Sequence, residues 1–318
     1  MSAMIRPITG SFIEIEHPNR AERVITHDAL RAFSATDWDA LVRDMHTLGM
    51  DTLVLLSTAL RGVSYFPFEG FARPTHLACD TAVEAILAAA DKTGQAVYVG
   101  VGFYGMADSV SHSTDPAVIK TALRAMETLA SLYGHHPSFV GWYIADEWCI
   151  WDHFDERFIT YINAICREAK RLCPTHRVIV APFGTHCLQT DDTLASQIAR
   201  IEADAIAYQD EIGVKKMPLA QLAERFEALA RVHEKAQRAS LWVDTEIFTF
   251  AGDVYRSALL PAPFERVKAQ LEAVSPYVEK VIAYTCQGIM TAPDTVGLGD
   301  YTTDVNTLRD DYLHWKKG

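Results

Sequence analysis

No stretch of this chain approaches the ~20 consecutive apolar residues a membrane span requires. The N-terminus, Met1-Ser-Ala-Met-Ile-Arg-Pro, lacks a basic segment followed by an apolar core. Both absences argue against a span and a cleavable export signal, so a cytoplasmic location is expected. The six cysteines (79, 149, 166, 173, 187 and 286) form no C-x-x-C pair and read as free thiols rather than a disulfide framework. There is no long basic run and the formal net charge is -12, which argues against nucleic acid and anionic membrane as main partners. No Gly-rich fingerprint follows the first apolar run, so the dinucleotide signal of an open doubly wound sheet is missing. G-x-S-x-G and H-E-x-x-H are also absent. This leaves neither a nucleophile elbow nor a zincin helix, and Cys149 and Cys187 read as buried thiols. No linker, repeat or low-complexity segment interrupts the chain.

What is present suits one sizeable core: 318 residues, 49% hydrophobic and 22% charged. Eight short apolar runs, too short for helices, read as strands buried on both faces: 8–15, 51–57, 95–103, 141–145, 177–183, 204–208, 240–247 and 280–286. A helical pattern follows each. One opens at a capping box on Thr36-Asp-Trp-Asp39 and stops at Gly49; others stop at Gly94, Gly134, Pro174 and Pro276. His135-His136 follows Gly134 and reads as a turn with a helix C-cap role, at the wrong end of the barrel for a site. Strict β-α alternation implies a parallel sheet with right-handed crossovers. Eight units predict an α/β fold, a single (β/α)8 TIM barrel over 1–318, with the active site at the C-terminal strand ends.

Polar groups gather at those ends: Glu14, Ser57, Tyr104, Asp146, Glu147, His186, Gln209, Asp210, Glu246 and Gln287. The stretch Gly141-Trp-Tyr-Ile-Ala-Asp-Glu-Trp148 runs an apolar strand straight into two carboxylates, and Ser240-Leu-Trp-Val-Asp-Thr-Glu-Ile-Phe248 has the same form. Buried carboxylates are costly unless a wet site needs them. Strands four and seven face each other across a barrel mouth, and two carboxylates flanking a bond are what glycoside cleavage requires. Glu147 is the expected acid/base, kept protonated by apolar neighbours and by Asp146 and Glu246. Glu246 is the expected nucleophile, held as carboxylate by hydrogen bonds. Glu14, Asp146, Trp148, Tyr104, Phe183, Tyr208, Gln209, Asp210, Tyr284 and Gln287 are candidate substrate contacts. Trp242, Phe248 and the aromatic loop 61–74 (Tyr65, Phe66, Phe68, Phe71) are candidate pocket walls. The expected partner is a small carbohydrate or glycoside, with no cofactor. Two alternatives stay open: a metal-dependent isomerase or lyase using the pooled carboxylates, and a barrel that binds sugar without cleaving it.

Four segments also carry a resemblance: Thr9-Gly-Ser-Phe-Ile-Glu14, Gly141-Trp-Tyr-Ile-Ala-Asp-Glu147, Ala207-Tyr-Gln-Asp210 and Val243-Asp-Thr-Glu-Ile-Phe248. With them the chain resembles an uncharacterised bacterial family of glycosidase-type (β/α)8 barrels, related to the retaining glycosidase clan with catalytic Glu on strands four and seven. The resemblance runs nearly the whole length and implies the barrel and a glycosidase-like site, without a substrate. It departs from the clan at Asp146, where the clan carries Asn on the sugar 2-hydroxyl. A second carboxylate beside the acid would couple the two titrations.

Overall fold

The computed structural model describes residues 5–19, 21–22, 27–105, 114–292, 295 and 302–317; Met1 to Met4, part of the N-terminal reading, lie outside them. Eight parallel strands close into a barrel: β1 (Gly10–Ile13), β2 (Thr52–Leu55), β3 (Ala96–Gly100), β4 (Phe139–Ile144), β5 (Arg177–Val180), β6 (Ala205–Gln209), β7 (Ser240–Glu246) and β8 (Lys280–Tyr284). Each strand pairs with its neighbours in sequence, and β8 closes on β1 with Gly10 opposite Ile282. The helices that follow the strands are α1 (Ala35–Leu48), α2 (Ala82–Thr93), α3 (Pro116–Tyr133), α4 (Glu156–Leu172), α5 (Asp192–Arg200), α6 (Leu219–Ala236), α7 (Phe264–Val274) and α8 (Thr302–Lys317). A short helix, His27–Ala32, precedes α1. The (β/α)8 expectation is the observed fold. Most strands are shorter than their apolar runs, because those runs continue past the ladder into the loops that build the site.

The helices form for local reasons that also fix their inward faces. In α1 the capping box is built by Ser34 and Asp37, two residues earlier than expected: Asp37 Oδ2 accepts from the Ser34 amide at 2.8 Å. Gly49 at φ 90° ends the helix. Trp38, Leu41, Val42, Met45 and Leu48 form its buried stripe, each contributing about 1.5–3 kcal/mol on burial.

Side chains alternate in and out along each strand, so a barrel fills in layers. At the bottom, Trp242 meets Tyr98 edge-on at 6.1 Å, with Arg177 and Lys280 each over its ring at 5.8 Å. Trp242 is therefore barrel packing and not a sugar platform. Phe12, Tyr143 and Tyr284 pack together above, with centroids 5.3 and 5.7 Å from Phe12. Gly141 lets β4 close on β5, since a Cβ there would sit 2.2 Å from the Arg177 carbonyl oxygen.

The aromatic loop behaves differently from the expectation. Phe66, Phe68 and Phe71 stack in succession at 5.4 and 5.2 Å, and Phe71 meets Tyr104 edge-on at 5.4 Å. Rings that satisfy one another bury their own surface, and none of the four loop aromatics lines the central cavity. All six cysteines are free thiols. Cys149 and Cys187 are half-buried rather than buried, and burial pushes both thiols up, away from the reactive thiolate. Among the described residues no helix is long and apolar enough to cross a membrane.

Candidate active site

At the C-terminal strand ends lies a cavity of about 550 Å³, a volume suited to a small ligand. Glu147, just past β4, and Glu246, the last residue of β7, both line it. Three of the expected contacts, Phe183, Gln209 and Tyr284, line it as well, and so does Phe248, expected as a pocket wall.

Glu147 is held from two sides: Tyr143 OH donates to Oε1 at 2.6 Å and Gln209 Nε2 donates to Oε2 at 2.9 Å. Burial pushes its carboxyl up to about 7, against the pull of those two bonds. The like charge that adds to the rise is Glu14; Asp146 and Glu246, expected in that role, are not among its leading causes. A carboxyl balanced near neutrality can both give and take a proton.

Glu246 Oε2 accepts from the Val214 amide at 2.7 Å. The expected set of carboxylate-stabilising bonds reduces to this one. Burial, then Asp210 beside it, pushes Glu246 well above the usual carboxylate range. Asp244 sits two residues earlier on the same face of β7, is 2% exposed and also lines the cavity. Its Oδ1 has no hydrogen-bond partner. Burial, then the charges of Glu147, Glu246 and Asp210, pushes its carboxyl well above the usual carboxylate range.

A second charged group forms one wall. His17 Nδ1 lies 2.9 Å from Glu14 Oε2, and Nε2 lies 3.0 Å from Glu22 Oε2. Tyr284 OH donates to Glu14 Oε1 at 2.6 Å. Burial opposes a charge on His17, but the two carboxylates overcome it and raise the imidazole to about 10. It is an imidazolium at neutral pH, and its stabilisation is present below the unfolded value near 6.5 and lost as pH rises through about 10. Replacing His17 by Ala strands Glu14 and Glu22, so a loss of about 3–5 kcal/mol in urea unfolding at pH 7 is expected. Opposite, Lys216 lies over Phe183 at 5.4 Å and Tyr255 at 5.5 Å. Tyr255 rides on the loop between the paired strands Phe248–Phe250 and Leu259–Pro261.

The other expected contacts stand behind the cavity or away from it. Tyr208 points outward from β6, fully buried, with its OH 3.1 Å from His233 Nε2 on α6; its neighbour Gln209 takes the inward face. Asp210 pins the backbone: Oδ1 accepts from the Ile212 and Glu246 amides at 3.1 and 3.2 Å, and Oδ2 from Gln270 at 2.7 Å. Glu14 backs His17 and Tyr284, and Gln287 brackets the Glu14 backbone through bonds of 2.6 and 3.0 Å. Asp146 is buried beside the Tyr161 phenol of α4 and does not line the cavity. Trp148 stacks on Phe158 at 5.5 Å, with Arg157 over its ring at 5.8 Å. Tyr104 donates to the Val101 carbonyl at 2.7 Å, and Phe103 lines the cavity in its stead. Gly102, at φ 110°, turns the chain just before them. His186 Nδ1 lies 2.8 Å from Glu211 Oε2, which anchors the Phe183 loop.

His17, Glu22, Lys216, Asp244 and Tyr255 are cavity residues that the sequence reading passes over. Asp244 is accessible from parity alone, since it shares a strand face with Glu246. Lys216 and Tyr255 sit on loops with no periodic signal. Among the described residues, the one set of three or more His, Cys, Asp or Glu side chains close enough to share a metal ion is Glu84, His135 and His136, none of which lines the cavity.

A family model described as a domain of unknown function (DUF4434) matches residues 8–297. No curated protein matches the sequence. Among solved structures, a Bacteroides thetaiotaomicron protein provisionally assigned as an α-L-fucosidase superposes with a TM-score of 0.78 at 19% identity, covering 100% of this chain and 97% of that one. An endo-1,4-β-D-mannanase from Thermotoga petrophila gives 0.63 at 11% identity, covering 97% and 100%. A Streptomyces cattleya GH5_18 protein in complex with GlcNAc gives 0.60 at 16% identity, covering 98% and 81%. At these identities the likeness establishes the barrel.

Proposed function

We propose that this chain, which belongs to the DUF4434 family, is a glycoside hydrolase that works with retention, the whole barrel forming one catalytic domain. Glu147 is the acid/base and Glu246 the nucleophile. The observation that carries the reading is that carboxylates from the ends of β4 and β7 line one cavity, with the first poised at about 7. Solved barrels of like fold include a mannanase and a barrel holding GlcNAc, which supports a sugar in this place.

Glu147 protonates the leaving oxygen as the bond to the anomeric carbon breaks, then removes a proton from the incoming water. Tyr143 and Gln209 hold its oxygens in line. Glu246 is raised by its buried surroundings, and it becomes a competent nucleophile as positive charge develops on the sugar beside it. The Val214 amide and the nearby Arg266 favour the same anion. Asp244, which lines the cavity and has an unpartnered oxygen, is the candidate contact for a sugar hydroxyl at the cavity floor. Phe183 and Tyr255 flank the mouth, with Lys216 between them. No cofactor enters this chemistry.

The test is a panel of aryl glycosides differing in sugar and anomer, with the product followed by NMR in the presence and absence of chelator. Cleavage of one class with retained anomeric configuration and no chelator effect is the expected result. Inversion would replace the nucleophilic role of Glu246 with that of a base. Loss of cleavage with chelator would end the two-carboxylate reading, and no cleavage across the panel would reduce the cavity to sugar binding.

A further inference from the structure

On the outer flank of the barrel, α2 faces the turn that leads from α3 into β4. His136 on that turn is 6% exposed and makes no contribution to the cavity. A helix C-cap role is the sequence expectation for the His-His pair, but Gly134 supplies that cap through its amide to Ala130. His136 instead reaches α2: its Nδ1 lies 2.6 Å from Asp91 Oδ2 and its Nε2 lies 3.1 Å from Glu84 Oε2. The His135 ring is drawn against it, with centroids 4.2 Å apart. One ligand atom from each of Glu84, His135 and His136 falls within 4.8 Å of the others.

We propose that Glu84, His135 and His136 form a zinc-class metal site joining α2 to the α3–β4 turn, with Asp91 behind it. Three features support this. Two ligand atoms on one tetrahedral zinc, at about 2.0–2.2 Å from the ion, stand about 3.3 Å apart, and Nε2 and Oε2 are already at 3.1 Å. Asp91 lies within hydrogen-bond distance of Nδ1, so that with a metal bound it would take the Nδ1 proton and leave the Nε2 lone pair for the ion beside Glu84, as metal-bound histidines are commonly oriented. Asp91 is itself fixed, its other oxygen accepting from the Ser138 amide at 2.9 Å. Finally, His135 makes no side-chain hydrogen bond among the described residues, so its placement against His136 has no purpose in polar pairing alone. Two imidazoles with one carboxylate suit zinc or its neighbours rather than calcium or magnesium, which prefer all-oxygen shells. His135 is exposed and leaves the remaining position open to water. The ion would tie two elements together outside the cavity, in a structural role independent of the hydrolytic proposal.

The experiment uses the full chain, stripped with EDTA and titrated with Zn²⁺ by calorimetry, and with Co²⁺ for its visible absorption. Wild type is expected to take up one equivalent at this site and to melt about 4 °C higher when free zinc exceeds the dissociation constant a hundredfold. His135→Ala and Glu84→Gln are at accessible positions and are expected to keep the metal-free melting temperature. Each should weaken zinc by on the order of 10²-fold or more, and Asp91→Asn by about 10–100-fold. Absence of a saturable equivalent in wild type overturns the proposal. So does zinc binding that is unchanged in both His135→Ala and Glu84→Gln, which would place the ion elsewhere.

Discussion

Glu246→Gln is expected to lower kcat for every glycoside the wild type cleaves, by on the order of 10⁴–10⁶, as removal of a covalent nucleophile does. Glu147→Gln is expected to lose about 10²–10⁴ in kcat/KM for a poor leaving group and far less for an activated nitrophenyl one. The asymmetry follows from what each carboxyl supplies. Glu246 forms the bond to the anomeric carbon, and no property of the leaving group replaces that bond. Glu147 supplies a proton to the departing oxygen, and an acidic phenol departs without it. With such a substrate the first step in the Glu147 variant stays fast, the glycosyl-enzyme accumulates, and a burst precedes slow turnover because water now lacks its base. Both variants should fold. In Glu246→Gln the new amide oxygen still accepts from the Val214 amide, and in Glu147→Gln it still accepts from the Tyr143 hydroxyl. Measuring kcat and the burst over a series of leaving groups separates the roles. Equal losses in both variants across the series, without a burst, would sink the assignment.

Much of this is legible because a barrel imposes few choices. The eight apolar runs, their Gly and Pro stops and the strict alternation determine the fold. The barrel rule then places Glu147 and Glu246 at the open end. What the sequence hides is phase and depth. Tyr208 and Gln209 are adjacent and both polar, but the pleat sends only one of them inward. Asp210 and Gln287 look like ligand contacts and are spent on the backbones of Glu246 and Glu14. Asp146 beside Glu147 suggests a coupled pair, yet consecutive residues past a strand point apart, and Asp146 turns to Tyr161. The wall made by His17, Glu14 and Glu22 spans a loop whose residues carry no periodicity, so only the folded chain brings them together. The aromatic loop has the composition of a pocket wall, but composition does not say whether rings face a ligand or one another.

The same titration that makes Glu147 useful makes it costly, and this gives the last expected result. Its folded carboxyl is raised from 4.5 to about 7. A raised acid contributes stability that is fully present below 4.5 and is lost as pH rises through about 7, because the folded protein must then ionise a half-buried group in apolar surroundings. The difference, about 2.5 units at 1.36 kcal/mol each, is about 3 kcal/mol. Glu147→Gln removes that charge while keeping the shape. The variant should melt close to wild type at pH 4.5 and about 4–6 °C higher at pH 8. Asp210 and Glu246 are raised as well and add the same sign of slope, but they are common to both proteins and largely cancel in the difference; Asp244 is raised in part by the Glu147 charge, so the variant also relieves some of its rise. The kinetic arm shares the cause: kcat/KM needs Glu147 protonated, so it should fall tenfold per unit above about 7. The pH at which the gap between the two melting curves stops widening and the pH at which kcat/KM begins to fall should therefore coincide, both near 7. Parallel melting curves across pH 4.5–8 would show that Glu147 is not held protonated by the fold, and the acid role would have to pass to another carboxyl of the cavity, with Asp244 next in line.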